Sequence, residues 1–287
     1  MDSEVITLPG GFERNGTWQR AVWLRPLVGQ DEMLFAERSG PDRHAGSITT
    51  LLAEAVSVDA DARPAGPEFA RALTVGDREA ALLHLRRLTL GERLACVLTC
   101  PACGERLDLD VPARTLLLPP YAHDRRLHDV TLAGEDGTYH VRFRLPTGAD
   151  QECAAAALAA HDLATAALLV LRRCVEAVTD SGGEPVANVP TAVRAQLPAI
   201  MAQLDPQAEL LLQATCLACS APFTVPFDTA QFLSQEIGAT GDTLLREVHL
   251  LALHYHWGES AILSMTRRRR RRYLELLAET LNDGESR

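Results

Sequence analysis

Two pairs of cysteines have the residue type and the spacing of a metal site. Cys100 and Cys103 form one Cys-x-x-Cys pair, and Cys216 and Cys219 form a second pair 116 positions further along the chain. Two such pairs supply the four thiolates that a structural Zn²⁺ takes in tetrahedral coordination. The sequence therefore predicts one structural zinc ion with all four cysteines as its ligands.

The residues around the two pairs repeat at the same offset. A threonine precedes each pair, and alternating apolar residues follow it: Leu107, Leu109 and Val111 after the first, Phe223, Val225 and Phe227 after the second. Alternation of this kind is typical of a strand with one buried face. Two such units predict a zinc-ribbon-like element whose halves lie far apart in the sequence.

Two other interpretations of the cysteine pairs stay open. Four buried free cysteines with a coincidental repeat would need no metal. A redox-active pair is disfavoured, because no βαβ pattern of the thioredoxin type surrounds either pair. The other three cysteines, Cys96, Cys153 and Cys174, are expected in the core, and Cys96 is also a candidate substitute ligand.

The 112 residues between the pairs are predicted to fold as an insertion carried by the metal site. Closing a flexible loop of this length costs about 4 kcal/mol. A structural zinc ion contributes roughly 10–16 kcal/mol in peptides. The metal can therefore hold the two ends of the insertion together.

Hydrophobic periodicity and turn residues predict the remaining elements. Residues 4–25 resemble a β-hairpin around Asn15-Gly16, and helices are predicted over 30–37, 48–55 and 74–88, with a loop at 39–43. The insertion is predicted to contain a hairpin over 130–145, a long helix over 151–178 and shorter helices over 190–197 and 207–213. The C-terminal region is predicted to be helical over 229–237, then from a cap at Asp242 to an end or bend at Trp257-Gly258, and over 260–265 and 267–281, with a break at 238–241.

These elements predict an α+β fold that is mainly helical. We expect an N-terminal β-hairpin over residues 1–30 and a helical segment over 31–95. The split zinc ribbon is expected over 96–118 and 214–230, with the inserted hairpin and helices over 119–213. A C-terminal helical region over 231–287 completes the predicted organisation.

Composition narrows the class of protein. The chain has 287 residues, 47% of them hydrophobic, and carries a formal net charge of −10. No apolar run reaches the length of a membrane span, and Met1-Asp2-Ser3-Glu4 is unlike a signal peptide, so a cytoplasmic protein is expected. In that reducing compartment, seven cysteines favour metal binding over disulfides. The acidic charge disfavours general nucleic-acid binding.

A run of six arginines, Arg267–Arg272, interrupts this acidic composition. Successive helical residues are rotated by about 100°, so the run covers every face of its helix. Arg267 and Arg270 share the apolar stripe of the following leucines and should point to the core, paired with Glu247 or Glu259. The predicted partner-binding surface comprises Trp257, Arg268, Arg269, Arg271 and Arg272.

The sequence contains no recognisable catalytic motif. His249, His254 and His256 lie near one another without the His-Glu-x-x-His spacing of a zinc hydrolase, and surface or packed histidines are the default expectation. No nucleophile elbow, phosphate loop or dinucleotide fingerprint is present. We therefore predict a non-enzyme with no catalytic residues, no organic cofactor and no small-molecule substrate.

The stretch from Glu247 to Met265, followed by the arginine run and Tyr273-Leu274, resembles the C-terminal motif of T-even-type phage baseplate hub assembly proteins. This family has relatives in contractile-tail phages and contractile injection systems. Further similar features are Leu8–Gly11, Arg25–Glu32, both cysteine pairs and Asp205-Pro206. The resemblance implies an assembly chaperone or a structural component of a contractile-tail baseplate. Such a protein acts in the cytoplasm or enters the particle, and binds other baseplate or hub proteins.

The runner-up interpretation is a zinc-ribbon regulator that binds nucleic acid through the arginine run. The acidic net charge and the absence of aromatic residues among the arginines disfavour it. A third interpretation, a metal hydrolase, would need a metal site with an open coordination position.

Overall fold

The first third of the chain forms a small sheet with helices packed against it. The structure, a computed structural model, describes residues 3–38, 44–61, 63–238 and 241–285. The strands are β1 (Glu4–Arg14), β2 (Thr17–Leu24) and β3 (Val56–Ser57), and the helices are α1 (Gly29–Arg38), α2 (His44–Ala55), α3 (Gly66–Ala72) and α4 (Val75–Leu90). The three strands form one antiparallel sheet, and apolar side chains pack it against α2 and α4.

The N-terminal hairpin is confirmed, and a buried carboxylate attaches it to α4. Asn15 and Gly16 both have positive φ, as the tight turn between β1 and β2 requires. The pairing register of β1 shifts between Thr7 and Phe12. Within this irregular stretch the backbone N–H groups of Gly10 and Gly11 donate to the Asp77 carboxylate at 2.8 and 3.0 Å.

The insertion folds around a second antiparallel sheet. Its strands are β6 (Leu127–Gly134), β7 (Gly137–Arg144) and β8 (Val175–Thr179), and its helices are α5 (Gly148–Leu158), α6 (Leu163–Cys174) and α7 (Thr191–Leu204). The sheet order is β6-β7-β8. Cys174 is buried in the core of this unit, as predicted, whereas Cys153 is half-buried.

The predicted long helix over 151–178 is wrong, because two local signals outweigh its alanine content. Asp162 caps a new helix by accepting a hydrogen bond from the Thr165 N–H, so α5 and α6 are separate. The last residues of the prediction, 175–178, belong to β8, which pairs with β7 instead of extending the helix. The short helix predicted over 190–197 is longer than expected, since α7 continues through Pro198 to Leu204.

The C-terminal helices are confirmed with small changes of boundary. They are α8 (Thr229–Gly238), α9 (Gly241–Tyr255), α10 (Glu259–Leu263) and α11 (Arg267–Glu285). The predicted loop at 39–43 and the middle of the break at 238–241 lie outside the described residues. The chain is thus α+β, as predicted. Among its described helices, none is long and apolar enough to cross a membrane.

Candidate metal centre and C-terminal arginine cluster

Each cysteine pair lies in the turn of a short antiparallel hairpin. The first joins β4 (Arg93–Thr99) to β5 (Arg106–Pro112), and the second joins β9 (Leu210–Thr215) to β10 (Pro222–Phe227). In the first turn the Cys100 N–H donates to the Glu105 carbonyl at 2.8 Å. The equivalent bond in the second turn, from Cys216 to Ala221, is 3.0 Å long. The two turns therefore have the same backbone construction.

The predicted helix over 207–213 is wrong, because this segment is mostly strand. A short 3-10 helix at Pro206–Ala208 precedes β9, whose side chains alternate between buried and exposed. The same alternation occurs in β4, where Leu94, Cys96 and Leu98 are buried. Applying the 116-residue offset to the strand before the first cysteine pair would have predicted β9 from the sequence.

The four cysteine sulfurs lie close enough together to share one metal ion. The Sγ atoms of Cys100 and Cys219 are 3.8 Å apart, and those of Cys103 and Cys216 are 3.6 Å apart. All four lie within 4.8 Å of one another. With Zn–S bonds of about 2.3 Å, neighbouring sulfurs of a tetrahedron are about 3.8 Å apart. The residues present therefore fit a Cys₄ metal site.

The thiols of this cluster ionise unequally in the absence of metal. The backbone N–H of Cys219 stabilises the Cys216 thiolate, and the pKa of Cys216 falls to about 7. At Cys103 the backbone N–H of Glu105 acts in the same direction. It is outweighed by the neighbouring sulfurs of Cys219 and Cys216, which raise the Cys103 pKa to about 12. Four thiolates this close need a cation, and a bound metal would displace the remaining protons.

The cysteines of the cluster differ in burial, and Cys96 lies apart from them. Cys100 and Cys216 are buried beneath the turns, whereas Cys103 and Cys219 are exposed. Cys96 is buried among the leucines of β4 and β9, and burial raises the pKa of its thiol. It lies outside the sulfur cluster, which confirms that it is a core residue and not a substitute ligand.

The two turns differ at one strained position, which gives a testable effect. Gly104 has φ 75° and the equivalent Ser220 has φ 58°, a conformation that costs a non-glycine residue about 1 kcal/mol or more. We expect Ser220→Gly to raise the free energy of unfolding by about 0.5–1 kcal/mol, because relief of the strain stabilises the folded state and the extra unfolded-state entropy of glycine offsets only part of that gain. Ser220→Val should lower it by more than about 1 kcal/mol, because a β-branched residue fits this conformation poorly. Urea unfolding of the metal-loaded protein measures both, and equal stability of the two variants would contradict the argument.

The C-terminal arginines separate into buried and exposed residues as predicted. Arg270 is 1% exposed, and its guanidinium donates to Glu247 at 2.8 Å and to Glu32 at 2.9 Å. The pairing with Glu247 confirms the prediction, whereas Glu259 is exposed and the role of Glu32 was missed. Backbone contacts bring the distant segment of Glu32 to this site, since the Gly29 N–H donates to the Met265 carbonyl at 3.1 Å.

Arg267 is also buried, at 8% exposure, but no hydrogen bond or ion pair within the described residues reaches its guanidinium. The other four arginines of the run are exposed. Arg269 lies over the ring of Tyr273, with its guanidinium carbon 6.0 Å from the ring centroid. Trp257 packs edge-on against the same ring and stacks on Tyr255, so it is half-buried in an aromatic cluster.

The histidines near the C-terminus form no second metal site in the structure. His249, His254 and His256 are all exposed. The four cysteines are the one group of three or more metal-ligating side chains that lie together in the described part of the chain. This agrees with the expectation of surface histidines.

Comparison with known families identifies the relatives of this chain. Residues 12–234 match the family model of the T4 bacteriophage base plate protein. The chain belongs to this base plate family. No curated protein and no solved structure matches it.

The base plate family match includes the whole metal centre and ends before the arginine cluster. All four cysteines and Glu32 lie inside residues 12–234, whereas Glu247, Arg270 and the exposed arginines lie beyond them. The ion cluster formed by Glu32, Glu247 and Arg270 therefore connects a segment inside the base plate family match to the C-terminal helices outside it.

Proposed function

We propose that this base plate protein is a non-enzymatic structural component or assembly factor of a contractile-tail baseplate, and that one structural zinc ion closes its fold. The family match over residues 12–234 supports the baseplate role, and the zinc clasp rests on one observation: four sulfurs within 4.8 Å of one another, contributed by two turns at opposite ends of the insertion. A site with four thiolate ligands has no open position for a substrate, which is typical of structural zinc.

The zinc ion would act as a clasp. It would join the hairpins β4–β5 and β9–β10, which are separate two-stranded sheets and share an apolar core. Since the insertion begins and ends at these hairpins, the clasp would fix its base. Such a constraint would hold the insertion in one arrangement relative to the two hairpins that carry it.

The partner-binding surface of this proposal remains the one that the sequence indicated. It comprises Trp257 and the exposed arginines Arg268, Arg269, Arg271 and Arg272. Their positive charge in a chain of net charge −10 favours one orientation towards an acidic partner. The proposed partners are other baseplate or hub proteins of the same tail.

Two measurements test this function. Elemental analysis of protein purified without added metal should find about one zinc per chain. In cells that assemble the tail, Arg268→Glu combined with Arg272→Glu should leave the protein folded and reduce its co-purification with baseplate proteins. The matched control, Arg106→Glu with Arg246→Glu, changes the charge equally at exposed sites outside the surface.

The outcomes separate the alternatives. Undiminished co-purification and particle assembly in the Arg268/Arg272 variant would contradict the proposed surface. Absence of zinc, with four reactive thiols in the native protein, would contradict the clasp. Steeply salt-dependent binding of nucleic acid by the wild type would instead favour the regulator. Analysis of purified particles distinguishes a structural component from a transient factor.

A further inference from the structure

A groove lies between α11, which carries the arginine run, and the helices α4 and α8. It has a volume of about 710 Å³ and is lined by the first two turns of α11, the C-terminal end of α4 and Glu236 of α8. Five guanidinium groups and two carboxylates line it. The groove is therefore positively charged, although the whole chain is acidic.

Ion pairs inside the groove use only some of this charge. Arg86 binds Glu236 through two hydrogen bonds of 2.5 and 2.9 Å. Arg272 donates to Glu275 at 3.1 Å. For Arg267, Arg268 and Arg271, no hydrogen bond or ion pair to the guanidinium occurs in the part of the chain that the structure describes. Among the described residues, these three guanidinium groups therefore have no ion-pair partner, although Glu32 and Glu247, already bound to Arg270, attract Arg267 at longer range.

These three charges destabilise the protein when it is alone. Arg267 and Arg271 are four residues apart on a helix, where like charges repel. All three lie in the first turns of α11, where the helix dipole is also positive. Arg267 is more than nine-tenths buried, and this burial, followed by the charge of Arg271, lowers its pKa. Buried charges without partners are costly, and such local conflicts are typical of functional sites.

We propose that this groove binds an acidic segment of a partner baseplate protein, whose aspartate or glutamate side chains pair with Arg267, Arg268 and Arg271. The inference rests on the proposed function, and it names the chemistry of the partner. Arginine binds carboxylates through two parallel hydrogen bonds, and a partner carboxylate would supply the acceptor that Arg267 lacks.

The groove favours protein carboxylates over a nucleic-acid backbone. Glu236 and Glu275 remain among its lining residues and would repel a continuous run of phosphates. Carboxylates spaced along a helix or strand can reach the unpaired arginines and avoid both glutamates. The net charge of −10 also opposes the approach of a long polyanion.

Fluorescence anisotropy with a defined probe tests the proposal. The probe is a labelled alanine-based helical peptide with glutamates three and four residues apart, and its glutamine counterpart is the uncharged control. Wild type should bind the glutamate peptide and not the glutamine peptide. Arg268→Glu and Arg271→Glu should each weaken binding about tenfold or more, as should the less charge-disruptive Arg267→Met. Arg246→Glu, an equal charge change at an exposed position of α9, should weaken it less than twofold.

Three results would overturn the proposal, provided that thermal melts show each variant to be folded. One is failure of the wild type to bind the glutamate peptide at millimolar concentration. Another is a loss of peptide affinity in Arg246→Glu equal to that in the groove variants, which would show that binding depends on long-range electrostatic attraction and on no defined site. The third is that a labelled dT12 oligonucleotide binds more tightly than the glutamate peptide and depends on Arg268 and Arg271 in the same way. Since the assay contains no baseplate protein, its failure is distinct from a failure of the co-purification test above.

Discussion

Arg270→Met should lower the free energy of unfolding by about 3–5 kcal/mol, because it leaves two buried carboxylates without a counter-charge. Glu32 and Glu247 both contact the Arg270 guanidinium within 2.9 Å, and all three side chains are less than a tenth exposed. A loss of this size is a large fraction of the total stability of an ordinary domain. It should also release α11 from α1 and α9, the helices that carry the two glutamates.

Arg267, three residues before Arg270, provides the control for this substitution. Arg267 lies on the same face of α11 and is also buried, but it makes no hydrogen bond or ion pair with a carboxylate within the described residues, and Glu32 and Glu247 attract it only at longer range. Arg267→Met should therefore leave the stability unchanged or increase it. Urea unfolding of both variants measures the difference. If the two substitutions cost the same, the ion cluster contributes no more than side-chain packing does.

Removing all three charges extends the test. Glu32→Gln and Glu247→Gln in the Arg270→Met background should recover much of the lost stability, because buried charge clusters can be replaced by neutral side chains at little net cost. No recovery would show that hydrogen-bond geometry, and not uncompensated charge, accounts for the loss.

Features that a short stretch of sequence encodes could be predicted, whereas features that depend on distant segments could not. The clustering of the four cysteines could be predicted because two fixed spacings, with a repeated flanking pattern, carry the signal themselves. The burial of Arg270 followed from helical periodicity. Glu32 could not be found in this way, because it lies 238 residues from Arg270 and only the fold brings them together.

The errors in secondary structure have the same origin. Alanine-rich residues 151–178 favour a helix locally, but β8 is determined by its pairing with a distant strand, β7. The segment before Cys216 was predicted to be helical from Asp205-Pro206, although its alternating leucines match those of β4. The predicted domain boundaries remain predictions, as does the role of the exposed arginines.

Loss of the metal should have the widest effect on the fold. Cys103→Ala should greatly lower the melting temperature, and a chelator should bring the wild type down to the same level. The physical reason is the balance of free energies: a structural zinc contributes roughly 10–16 kcal/mol, against about 4 kcal/mol for closing the insertion. Cys103 is exposed, so its replacement removes little packing and reports on the metal alone.

The same site predicts the direction of the pH dependence. With the Cys103 pKa raised to about 12 in the metal-free protein, zinc must displace its proton at neutral pH. The affinity for zinc should therefore increase with pH, by about tenfold per pH unit for each proton displaced. The stabilisation by metal should correspondingly be lost as pH falls, because protons compete with zinc for the thiolates.

Melting curves of the wild type, Cys103→Ala and Cys153→Ala, with and without chelator, test whether the metal stabilises the fold. Cys153→Ala is the matched control, because Cys153 is half-buried and lies outside the sulfur cluster. It should keep about one zinc per chain and the chelator sensitivity of the wild type. Cys103→Ala should be insensitive to the chelator, having already lost its site. If Cys103→Ala melts at the wild-type temperature, and chelation changes neither protein, the two hairpins are held together by their shared apolar core and the metal is peripheral to the fold.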